Sequence, residues 1–100
     1  MITITDNPGY LTVAGHAGTA PDITCEGVTI LLLNLIASLE ELTDDPIEYM
    51  VEKGNALLTY GYPSERARLL IDSFFLGVEE IAKLDPDKVR VSRQERHKTF

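Results

Sequence analysis

The stretch Gly15-His16-Ala17-Gly18-Thr19-Ala20-Pro21-Asp22-Ile23-Thr24-Cys25-Glu26-Gly27-Val28-Thr29 decides how the chain is read. Before it the side chains alternate as in a strand, and after it apolar residues recur at helical spacing. It also holds the only cysteine, one of two histidines and an aspartate between them. Towards the N-terminus, Leu11 and Val13 fall on one side of the run 10–14, and Ile2 and Ile4 alternate with Thr3 and Thr5. Both runs read as strands with one buried face. Asp6-Asn7-Pro8-Gly9 joins them as a turn, because proline presets one dihedral and glycine accepts a positive φ.

In the other direction, the glycines and Pro21 make 16–21 a loop, and Asp22 or Thr24 can cap a helix that places Cys25 in its first turn. Cys25, Val28, Leu32, Leu35, Leu39 and Leu42 lie three or four apart and form one helical stripe. Ile30, Leu31, Leu33 and Ile36 add apolar surface elsewhere, so this helix should lie between the sheet and either a second helix or a partner subunit. Thr43-Asp44-Asp45-Pro46 ends it.

Ile47, Tyr49 and Val51 then alternate with Glu48, Met50 and Glu52, and after the turn 53–55 the run 56–62 returns as a further strand. Ser64 caps a second helix with Ala67, Leu70, Ile71, Phe74, Val78 and Ile81 on its buried stripe, and Asp85-Pro86-Asp87 stops it. Val89 and Val91 offer a short edge strand. The expected fold is of the α/β class, α+β type: a two-layer sandwich in the order β-β-α-β-β-α(-β), with a mostly antiparallel sheet of four to five strands and two helices on one face. Residues 1–91 make one domain, and 92–100 a basic tail.

Composition narrows the function. One hundred residues, 44% hydrophobic and 25% charged, build one modest core. The net charge of -7 divides into -10 over residues 1–82 and +3 over 83–100, so an acidic body disfavours nucleic acid, with the tail as the one basic patch. A lone cysteine makes no internal disulfide and suits a reducing cytoplasm. No basic segment followed by an apolar one follows Met1, so no signal peptide is expected. The most apolar run, 28–36, is short of the ~20 residues that span a bilayer, so no membrane association is expected.

The chemistry concentrates at Cys25. A helix N-terminus favours thiolate, and His16 could take the thiol proton and return it to a leaving amine. Asp22 could orient the imidazole or cap the helix. The plainer reading is that Cys25 begins the apolar stripe and is an inert core thiol. His16, Asp22 and Cys25 make only three candidate ligands at no familiar zinc spacing, and Gly15, Gly18 and Gly27 form no phosphate-cradling fingerprint.

Gly15-His16-Ala17 at a hairpin end, followed by Asp22-Ile23-Thr24-Cys25 and by Thr29 one helical turn on, resembles the ribosomal-processing cysteine protease family Prp. The resemblance implies Cys25 as nucleophile, His16 as general base and acid, and Asp22 as supporting acid, with Thr29, Gly15 and Gly18 supporting. It implies no cofactor and no metal. It further implies a homodimer that removes an N-terminal extension from a bacterial large-subunit ribosomal protein. Ala20-Pro21 stands where the family has a longer glycine-bearing segment, and Glu26 follows Cys25 where a small residue is usual. A divergent or phage-borne member acting on another protein, such as a phage protein, fits those departures. The alternative is a noncatalytic dimeric binding or assembly protein with the same fold.

Overall fold

In the computed structural model, which describes residues 1–15 and 23–93, the elements follow the expected order. They are β1 (Ile2–Asn7), β2 (Tyr10–Ala14), α1 (Ile23–Leu42), β3 (Glu48–Glu52), β4 (Asn55–Thr59), α2 (Glu65–Leu84) and β5 (Val89–Ser92). The five strands form one sheet in the order β3-β4-β2-β1-β5. Every pairing is antiparallel except β1 with β5, so the sheet is mixed.

Local chemistry explains the connections. Asn7 pairs with Tyr10, and Gly9 between them takes φ +85°. The Gly9 carbonyl accepts from the backbone N–H groups of Tyr60 and Gly61. Those bonds and the positive φ of Gly61 end β4 at Thr59, short of the 56–62 expected from the sequence. Ser64 caps α2 by accepting from the Ala67 N–H at 3.2 Å. At the other end the Asp85 N–H donates to the Ile81 carbonyl at 2.9 Å.

The core lies on one face of the sheet. Ile2, Ile4, Leu11, Ala56, Leu58 and Val89 meet Val28, Leu32, Leu35, Ile36 and Leu39 of α1 and Ala67, Ile71, Phe74, Phe75 and Val78 of α2. Burying each Val, Leu, Ile or Phe side chain stabilises the fold by roughly 1.5–3 kcal/mol before entropy is charged against it. Phe75 adds to the expected α2 stripe and packs edge-on to Phe74 at 5.2 Å between centroids. Leu70 and Ile81 are only partly buried.

Two expectations about α1 are corrected. Leu42, placed on the α1 stripe by spacing, is exposed because the helix ends there. Thr24 is not a cap: it is the second residue of α1, and its hydroxyl donates to Asp85 Oδ2 at 2.5 Å. By length and composition α1 is apolar enough to cross a membrane, since its interior residues interrupt the apolar run without charging it. Its Val28, Leu32, Leu35 and Leu39 are nevertheless core residues of the sandwich, while Ile30 and Leu33 are exposed. Of the expected tail 92–100, Ser92 closes β5 and Arg93 is held by ion pairs; 94–100 lie outside the described residues.

Candidate functional site

Gly15 and α1 frame the motif. β2 ends at Ala14, and the Gly15 N–H donates to the Gly54 carbonyl at 2.9 Å. Gly15 takes φ +102°, and a Cβ there would stand 2.0 Å from the Met1 carbonyl oxygen. No side chain fits, so this glycine sets the direction in which the chain leaves the sheet towards position 16. His16, Gly18 and Asp22, three residues of the expected site, lie outside the described residues.

Cys25 is the third residue of α1, in its first turn, where backbone N–H groups lack intrahelical partners. Its side chain is half-buried and packs against the core cluster. That position is compatible with both sequence readings: part of the residue rests on the core, and part remains accessible. Glu26 beside it is exposed and is the acidic residue of the first turn. Thr29, one turn on, is exposed, and its hydroxyl donates to the Cys25 carbonyl at 2.9 Å. Its oxygen therefore sits against the backbone of the same turn.

The support under Cys25 was not evident in the sequence. Buried Thr24 links the first turn of α1 to Asp85, the C-cap residue of α2. The Asp85 carbonyl in turn accepts from the N–H groups of Lys88 and Val89. Gly27 lets the Ile81 side chain approach, with 3.4 Å to where a Cβ would stand. The start of α1, the end of α2 and the entry to β5 thus form one fixed corner. Only the residue types at 24 and 85, one hydroxyl and one carboxylate, could have hinted at it.

Among the described residues no three His, Cys, Asp or Glu side chains converge as metal ligands would. A cleft of about 510 Å³ lined by Thr43, Asp44, Asp45, Ser64 and Arg66 lies between the end of α1 and the start of α2. It is at the far end of α1 from Cys25.

This fold is shared with proteases of known structure. The ribosomal processing protease Prp from S. aureus, in complex with a covalently linked product peptide, superposes with a TM-score of 0.84 at 20% identity, covering 94% of this chain and 100% of that one. The same protease with a substrate peptide gives 0.75 at 16% identity, covering 93% and 97%. A Streptococcus mutans protein gives 0.77 at 26% identity, covering 95% and 93%. No curated protein sequence matches the chain. The class is therefore an α+β fold used by cysteine proteases. More narrowly, the family model for cysteine protease Prp matches residues 2–90, and the chain belongs to that family.

Proposed function

We propose that the chain is a cysteine endopeptidase in which Cys25 is the nucleophile, His16 the general base and then acid, and Asp22 a supporting acid. The observation that carries this is the placement of Cys25 in the first turn of α1 in a chain of the cysteine protease Prp family. In the first step Sγ bonds to the scissile carbonyl carbon, and the thiol proton passes to the His16 imidazole. The carbonyl oxygen becomes an oxyanion, which free N–H groups of the first turn can receive. Collapse breaks the C–N bond, and His16 returns the proton to the leaving amine. Water, giving its proton to His16, then hydrolyses the thioester and frees the thiol.

The substrate class is a protein or peptide, as the S. aureus relative is found with substrate and product peptides. The finer reading is the N-terminal extension of a large-subunit ribosomal protein, cleaved in the cytoplasm by a homodimer. A phage protein is the corresponding substrate of a phage-borne member. Exposed Ile30 and Leu33 on α1 offer the apolar surface that a partner subunit would cover.

The test is alkylation by iodoacetamide near neutral pH, with cleavage of a precursor peptide followed by mass spectrometry. Cys25 should react much faster than free cysteine, His16→Ala should slow it, and Cys25→Ala should abolish cleavage. Ordinary reactivity, indifferent to His16→Ala, supports the second reading: a noncatalytic dimeric binding protein. The contact of Cys25 with the core favours that alternative.

A further inference from the structure

β3 is the edge strand of the sheet, and all five of its residues are exposed. Tyr49 and Val51 register with Leu58 and Ala56, which are 1% and 5% exposed beneath the helices, yet they remain 49% and 42% exposed themselves. The helical cover therefore stops at β4. Met50, 41% exposed, shares the opposite face with Glu48 and Glu52. The edge thus presents apolar residues bracketed by two carboxylates. It lies in a half of the chain, residues 1–52, with nine acidic side chains and no lysine or arginine.

We infer that this edge docks an extended basic segment of the polypeptide substrate, paired to β3, with Lys or Arg opposite Glu48 and Glu52 and apolar side chains over Tyr49 and Val51. Pleat alternation supplies the pattern: basic at positions 1 and 5 of a five-residue segment, apolar at 2 and 4. A second copy of this chain is a poor occupant. An antiparallel β3 pair centred on Met50 would set Glu48 of each copy opposite Glu52 of the other, and like charges directly opposite destabilise a ladder. A basic strand meets the same groups with opposite sign.

The edge also points towards the proposed site. The Gly15 N–H holds the Gly54 carbonyl in the β3–β4 turn, so the Glu52 end of β3 lies at the end of the sheet from which position 16 departs. A strand docked outside β3 lies three strand spacings from β2, roughly 14 Å, which about four residues of extended chain cover. The docked segment therefore belongs about four residues or more from the scissile bond, on the reading of the chain as a protease.

The test uses the full chain with Cys25→Ala and a fluorescein-labelled Lys-Val-Thr-Val-Lys peptide, read by anisotropy. The peptide with Glu for both Lys, and the rearranged Val-Lys-Thr-Lys-Val, should each bind at least about tenfold more weakly. Glu48→Lys with Glu52→Lys should weaken binding of the first peptide by at least about tenfold, with an unchanged melting temperature. Glu40→Lys with Glu41→Lys, which reverses the same charge on α1, should weaken it less than about twofold. Equal loss in the two double variants, or equal binding of the three peptides, overturns docking on β3. Cleavage is assayed separately on chains with Cys25 intact. Cleavage of a basic substrate with KM unchanged by Glu48→Lys and Glu52→Lys overturns the docking and leaves the protease standing. Specific binding without any cleavage overturns the protease and leaves the edge as a binding site.

Discussion

Arg93 donates from Nε to Asp6 Oδ2 at 3.2 Å, tying the end of β5 to the end of β1. Asp6 is nearly buried, and its other oxygen accepts from the Tyr60 hydroxyl at 3.2 Å. The guanidinium also donates to Asp72 of α2 and lies 4.6 Å from the centroid of the Phe75 ring. One arginine therefore joins the sheet to α2 at the end away from Cys25.

Arg93→Ala should be costly, because it takes the cation away from the Asp6 carboxylate buried under the helices. Breaking a buried pair costs about 3–5 kcal/mol. With the Arg93 side chain 19% exposed, about 2–3 kcal/mol is expected after solvent screening. Arg93→Lys should recover less than half, since an ammonium cannot both fork between two carboxylates and stack on Phe75. Urea unfolding should show the loss in the midpoint with the slope unchanged.

That network also marks the limit of what the sequence discloses. β1, β2, the Pro8-Gly9 turn, the α2 stripe and the Ser64 cap rest on local periodicity and turn chemistry, so they could be read residue by residue. Arg93 reads as the start of a polar tail because its partners are 87 and 21 positions away, and no local pattern encodes such a pairing. β3 alternates like a half-buried strand, but alternation does not reveal that it is an edge beyond the reach of the helices. At the site, Cys25's address in the first turn of α1 follows from the helical period and the loop before it. The Thr24–Asp85 tie beneath it spans 61 positions and does not.

Thr24→Val should loosen that corner while keeping the β-branched shape. It removes the hydroxyl that Asp85 Oδ2 accepts, for an expected loss of about 1–3 kcal/mol. Asp85→Asn should cost less, since an amide oxygen still accepts. If the corner positions Cys25, Thr24→Val should slow alkylation of Cys25 in the folded protein by more than Asp85→Asn does. Alkylation at temperatures well below each variant's melting point, with stability measured in parallel, separates positioning from unfolding.

Acid should weaken the junction between α1 and α2. Ser64 bonds to Asp45 through its side chain and then through its backbone N–H, the latter at 2.7 Å, and these bonds hold the Asp45 carboxyl below its usual pKa. A carboxyl whose pKa is lower folded than unfolded adds stability that is fully present above the unfolded value. That stability is lost as pH falls towards the folded value. Denaturant midpoints should therefore fall on acidification through the ordinary carboxylate range, and Asp45→Asn should remove part of the slope. Ser64→Ala should remove only the side-chain share of it, since the backbone N–H still donates to Asp45, and should also cost about 1 kcal/mol at neutral pH through loss of the helix cap.

Gly15→Ala offers the sharpest backbone test, because two independent costs coincide there. The positive φ disfavours any L side chain by roughly 1–2 kcal/mol, and the new Cβ would meet the Met1 carbonyl oxygen at 2.0 Å. The clash is with backbone, which cannot rotate away as a flexible side chain could, so β1 and β2 must shift apart at Met1. A total loss of at least about 3 kcal/mol is expected, near the upper end for single substitutions. Gly61→Ala, at φ +64° with nothing within 4 Å of the added carbon, isolates the dihedral cost alone. The difference between the two unfolding free energies measures the clash together with the extra strain of φ +102° over +64°, and equal losses would mean that Met1 yields without cost.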